Sequence, residues 1–95
     1  MSKRKGTRNE HRSIALLEAS GYHCTRSAGS LGVWDMVAIG PMDTVLVQCK
    51  TNRWPSRAEM EVMKLFPIPT NCRKVVHRWD DRKRMPLVKE LRSGP

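Results

Sequence analysis

Two runs of β-branched and apolar residues, Asp35 to Ile39 and Thr44 to Lys50, flank Gly40-Pro41-Met42-Asp43, and no other feature constrains the fold as strongly. A glycine-proline turn between such runs predicts a β-hairpin, because proline presets φ and glycine tolerates the backbone of a tight reversal. Successive side chains of a strand alternate between faces. Val45, Val47 and Cys49 therefore share one face, and Leu46, Gln48 and Lys50 the other. Both faces are partly apolar, so this strand belongs inside a sheet that is covered on both sides.

The remaining segments supply the cover. Thr7 and Glu10 stand at capping-box spacing ahead of an apolar stripe at Ile14, Ala15 and Leu17, and Ser20-Gly21 closes it, which predicts a first helix. Residues 1–6, basic and without periodicity, read as a flexible arm, and residues 7–95 as one domain. Tyr22 to Arg26 alternates as a strand, and a small-residue loop follows through Ser30 to Gly32. Ser56 with Glu59 repeats the capping box and opens a second helix through Leu65, buried through Met60, Met63 and Val62. Pro67 and Pro69 stop it; Cys72 to Trp79 reads as a further strand, and Leu87 to Leu91 as a last strand or a helical turn. The fold class is α/β: a mixed sheet flanked by helices, in the order αβββαβ(β).

Ninety-five residues suffice for one core. A chain of this size buries only about 60–65% of its unfolded surface, which favours a homodimer. With 39% apolar and 28% charged residues it is globular rather than disordered. Eighteen Lys and Arg against nine Asp and Glu leave a net charge of +9, and such an excess points to a polyanion, nucleic acid first. The charge concentrates in residues 3–12 and again in Arg73, Lys74, Arg78, Arg82, Lys83 and Arg84. Cys24, Cys49 and Cys72 form no C-x-x-C pair, and the N-terminus has no apolar stretch; the expected setting is reducing, soluble and cytoplasmic. His11, His23 and His77 do not stand at zinc-finger spacing from those cysteines, and Trp54 and Trp79 are expected in core or rim packing.

Chemistry gathers at the end of the hairpin. Gln48 and Lys50 emerge side by side, and a turn centred on Pro41-Met42 sets Asp35 opposite Gln48, provided the register does not slip by one. The Asp35 carboxylate, the Gln48 side-chain oxygen and the Cys49 carbonyl make a hard-oxygen set suited to Mg2+, or Mn2+ in its place, with Lys50 as a cation beside it. Phosphodiester hydrolysis needs an attacking hydroxide, stabilised charge on the phosphoryl oxygens and a protonated leaving group. A metal and a lysine share these tasks, and no general base is evident.

Asp35, an apolar strand, a turn and then Val47-Gln48-Cys49-Lys50 resemble the PD-(D/E)XK nuclease signature. Gly6-x-Arg8-x-Glu10, Gly21-Tyr22, Arg26-Ser27 and the loop from Ser30 to Asp35 resemble the archaeal-type Holliday junction resolvases and their phage relatives, over residues 6–79. The resemblance implies a restriction-endonuclease-like fold and a metal-dependent, structure-selective endonuclease acting on branched DNA in recombination and repair, in a prokaryotic or phage-infected cell. It implies that Asp35 is the central metal ligand, that Glu10 joins it from the first helix, and that Lys50 is the catalytic lysine. Ser30, with Ser27 as the alternative, corresponds to a loop serine near the scissile phosphate, and Arg8, Arg12, Arg26 and Arg53 are placed to contact phosphates. Two departures stand out: Trp34 replaces the motif proline, and Gln48 replaces the usual acid, which weakens metal binding by one negative charge. A nuclease fold that binds DNA without cutting it, and a small basic RNA-binding protein, are the competing readings.

Overall fold

The computed structural model describes residues 2–27 and 32–92, with backbone alone for residues 2–5. Helix α1 (Ser2–Ala19) leads into strands β1 (His23–Arg26), β2 (Met36–Ile39) and β3 (Thr44–Thr51); helix α2 (Arg57–Leu65) follows, then β4 (Cys72–Trp79) and β5 (Leu87–Leu91). The five strands lie in sequence order in one sheet. All neighbours are antiparallel except β3 and β4, which α2 connects as a parallel pair. This is the α/β arrangement expected, and the last segment is a strand.

The hairpin keeps the register its turn demands, from Ile39 with Thr44 to Met36 with Val47, and the Gly40 amide closes it on Asp43 O at 2.8 Å. Tyr22 packs so closely over Gly40 that a Cβ there would lie 2.8 Å from the ring, which excludes any larger residue. On one face Met36, Ala38, Val45, Val47 and Val75 pack beneath Ile14 and Leu17 of α1. On the other, Leu46, Val76 and Leu91 pack with Trp34 and with Met63 of α2. Ser56 caps α2 as expected, its hydroxyl accepting from the Glu59 amide and the Glu59 carboxylate accepting from the Ser56 amide.

Three expectations about the helices change. Helix α1 begins at Ser2, so Thr7 and Glu10 sit inside it and form no cap, and the residues read as an arm continue the helix. Lysine and arginine are good helix formers, and three of them precede Gly6. Ala15 and Val62 both face outward. The buried stripe of α1 is partly polar, running through Asn9 and Ser13 to Leu17. Asn9 Nδ2 donates to Thr51 Oγ1 at 2.8 Å. Ser13, fully buried, holds Trp79 Nε1 and His77 Nδ1 at 2.8 Å each and Cys49 Sγ at 3.3 Å.

The Ser13 hydroxyl already accepts from the indole and the thiol, so its own proton goes to His77 Nδ1, and the imidazole must be neutral with its hydrogen on Nε2. Burial also pushes the His77 pKa down. Ser13→Ala strands two buried groups at roughly 1–3 kcal/mol each and should lower unfolding free energy by about 2–4 kcal/mol in urea titrations. His77 binds its proton more readily unfolded, at an ordinary value of 6.5, so its contribution is complete above that pH and is lost as pH falls through the lower folded value. Melting temperatures should therefore drop from pH 7 toward pH 5, and His77→Gln should flatten that dependence.

Candidate active site

The C-terminal ends of β1, β3 and β4 and the start of β2 share one rim of the sheet. Asp35 sits where β2 begins. Its amide donates to Val47 O and its carbonyl accepts from the Ser27 amide, both at 2.9 Å. Beyond Met36 no backbone acceptor reaches the next β3 amide; Asp35 Oδ2 takes that place and accepts from Cys49 N at 2.7 Å. The carboxylate is thereby fixed at the level of Val47 and Gln48, which is where the hairpin register was expected to bring it.

Burial raises the Asp35 pKa above 3.8, the Cys49 amide opposes that, Glu10 adds to it by repulsion, and Lys50 and Arg26 lower it. Asp35 thus senses charge from α1, β1 and β3 together. Each of those groups also has its own partner. Glu10 Oε1 accepts from Arg26 Nε and Nη2 at 3.1 and 2.8 Å. Lys50 Nζ, only 14% exposed, lies 2.8 Å from Glu59 Oε2 on α2. Glu59 carried no functional signal in the sequence, because the capping box accounts for it; one oxygen serves the cap and the other the lysine.

Gln48 shares the α2 face with Leu46 and Lys50 and is buried. Its Nε2 donates to Val33 O at 3.1 Å, and its Oε1 is buried without a hydrogen-bond partner. An unpartnered buried carbonyl costs free energy unless something electropositive reaches it. Asp35 Oδ2 is engaged by Cys49, while no hydrogen bond among the described residues involves Oδ1. A hard cation fits this donor chemistry: a carboxylate that repels a second carboxylate, plus a neutral oxygen in want of a partner. Among the described residues no three His, Cys, Asp or Glu side chains are grouped for a metal, so the set depends on the glutamine and on main chain. The Cys49 side chain turns to the α1 face, its thiol pushed up to about 12 by burial, and only its carbonyl is available as a ligand.

Of the loop serines, Ser30 lies outside the described residues. Ser27 is buried and shapes the loop, its hydroxyl donating to Trp34 O at 2.5 Å. Trp34 itself is core, edge-on to Phe66 at 5.9 Å, so the position of the motif proline is filled by a packing residue. Arg8 and Arg53 are exposed, while Arg26 is paired with Glu10. Arg12 lies 4.0 Å over the Trp79 ring.

No family model matches the chain, and no curated protein matches its sequence significantly. The structure is similar to that of Hjc, a Holliday junction resolvase from the archaeal hyperthermophile Archaeoglobus fulgidus, with a TM-score of 0.69 and 22% identity over 93% of this chain and 72% of that one. The fold implied by the motif resemblance, a resolvase-like mixed sheet between helices, is the one the chain adopts.

Because Asp35 ionises less readily folded than unfolded, it contributes stability below its ordinary value of 3.8 that is lost as pH rises through the higher folded value. Asp35→Asn keeps an acceptor for Cys49 N without the charge. It should melt at a higher temperature than the parent at pH 7 in chelator, with the difference vanishing as pH falls below 3.8.

Proposed function

We propose that the chain is a metal-dependent, structure-selective DNA endonuclease that cuts branched DNA in the manner of a Holliday junction resolvase. The observation that carries this reading is the convergence on one rim of Asp35, the unpartnered Gln48 oxygen and Lys50, in a fold similar to that of Hjc. The +9 charge supports a nucleic-acid substrate. Magnesium held by Asp35, Gln48 Oε1, the Cys49 carbonyl and Glu10 would supply Lewis acidity toward the phosphoryl group and lower the pKa of a water at neutral pH.

The chain's own residues divide the remaining work. The Cys49 amide holds Asp35 in one rotamer, so the carboxylate needs little reorganisation when substrate arrives. Lys50, paired with Glu59, would donate a hydrogen bond to the non-bridging oxygens of a phosphodiester, where charge develops during attack. Arg26 fixes Glu10 toward the same rim and is itself nearly half exposed, so one guanidinium edge remains for a phosphate. Arg8, Arg12 and Arg53 complete the DNA-facing surface of this reading. A homodimer would present two such sites, as paired incision of a four-way junction requires.

Labelled four-way junction and matched linear duplex, incubated with magnesium or with chelator, test the reading directly. Paired symmetric cuts in the junction are expected, lost with chelator and reduced at least about a hundredfold by Asp35→Ala or Lys50→Ala, the scale of removing one stabilising group from a transition state. Junction binding without cleavage under magnesium or manganese would instead identify a DNA-binding module on a nuclease fold.

A further inference from the structure

Residues 80–86 join β4 to β5 on the same rim as Asp35 and Lys50, since Lys50 pairs with Arg78 and Thr51 with Trp79. A two-residue turn suffices to reverse a strand; this connection is longer and is tied down at several points. Asn52 and Asp81 clasp each other, Asn52 Oδ1 accepting from the Asp81 amide at 2.8 Å and Asn52 Nδ2 donating to Asp81 Oδ2 at 3.0 Å. Asp80 accepts from Arg78 Nε at 2.8 Å, and the Lys83 amide turns back to Asp80 O at 3.2 Å. From the other face of the sheet Arg12, stacked on Trp79, donates Nη2 to Lys83 O at 2.7 Å.

Two non-glycine residues here adopt left-handed backbone, Asn52 at φ 62° and Arg82 at φ 65°. That conformation is unfavourable for side chains with a Cβ, more so for arginine than for asparagine, and an arginine holds it where the surroundings enforce it. The internal bonds engage both acids of the loop. Arg82, Lys83 and Arg84 are left exposed, and among the described residues no hydrogen bond or ion pair involves their side chains. Strain and tethers are thus spent on presenting three unneutralised cations beside the candidate active site.

We propose that residues 82–84 form a preorganised contact for the sugar-phosphate backbone of the duplex flanking the scissile phosphodiester, locked in place by the Asn52–Asp81 clasp and by Arg12. The assignment rests on the functional reading insofar as DNA must reach the Asp35 rim. Duplex DNA carries one charge per about 1.7 Å of axis, so even a short loop meets several phosphates. Its side chains carry cationic donors alone, which suits contact without sequence preference.

Fluorescence anisotropy of labelled duplex in chelator, titrated with salt, tests the loop without requiring cleavage. Arg82→Gln/Lys83→Gln/Arg84→Gln should weaken binding at least tenfold near 0.1 M salt and reduce the slope of log K against log salt by about 2–3, from roughly 0.9 per phosphate contact. Lys64→Gln/Arg92→Gln, at the opposite end of the sheet, should change the slope by less than about 1. Asn52→Gly keeps every charge and the backbone angle while removing the clasp, and should weaken binding severalfold. Thermal melts verify folding, and Arg84→Gln alone, with a slope change of about 1, reads the contact should the triple variant unfold.

Parental affinity and slope in the triple variant would overturn the assignment, as would an equal loss per charge from the opposite end. Loop-dependent binding with no cleavage under magnesium or manganese leaves the assignment standing and defeats the nuclease reading. Cleavage that needs Asp35 but a slope indifferent to the loop does the reverse, and absence of duplex binding defeats both.

Discussion

The hydrogen bond from the Cys49 amide to Asp35 Oδ2 joins the architecture to the chemistry. The β2–β3 ladder ends at Met36 and Val47, and β3 continues to Thr51 against β4. A part-buried amide on that overhang needs an acceptor, because an unmade bond there costs about 1–3 kcal/mol. Supplying it from a side chain closes the sheet and fixes a carboxylate at its rim in one step. The consequence is an anion in a desolvated place, facing a second anion on α1. The fold tolerates this strain, and perturbed carboxylates of this kind cluster at functional sites.

The charges around Asp35 are held by partners drawn from different layers. Glu10 on α1 is matched by Arg26 on β1, and Lys50 on β3 by Glu59 on α2. Each pair thus ties one helix to a strand end at the rim, α1 to β1 and α2 to β3. The Glu59 carboxylate serves two masters: it caps α2 and it restrains the lysine, so the start of the helix and the position of Lys50 are mechanically coupled. A helix that begins where the cap places it delivers the acid to the strand end without further specification.

Local chemistry in the sequence accounts for the hairpin, its register and the second helix. Gly40-Pro41 fixes the turn, the turn fixes which residues face one another, and that brings Asp35 to the level of Gln48. Ser56-x-x-Glu59 marks the start of α2 for the same reason: both partners lie within four residues. What escaped depends on contacts distant in sequence. Asn9 and Ser13 look like outward polar positions until Thr51, His77 and Trp79 are folded against them. Lys74, fully buried, reads as part of a basic cluster, yet its Nζ closes the C-terminal end of α2 by donating to Lys64 O at 2.8 Å. Thr7 and Glu10 show the converse: a local motif yields when good helix formers precede it and a distant arginine claims the acid.

The two ends of the sheet differ in how they treat their cations. At the hairpin end the Tyr22 hydroxyl donates to Asp43 Oδ1 at 2.7 Å and Arg73 Nε to Oδ2 at 2.8 Å, which hold the Asp43 carboxyl below its usual range, and Arg73 also lies 3.5 Å from Glu90. At the other end acids are turned inward, to Arg78, Asn52 and Lys50, while Arg53 and residues 82–84 face solvent. A net charge of +9 spread evenly would promote only loose association with any polyanion. Pairing Arg73 at one end while leaving Arg53 and residues 82–84 bare at the other gives the same excess a direction. A polyanion approaching from solvent would meet those bare cations on the rim that carries Asp35 and Lys50.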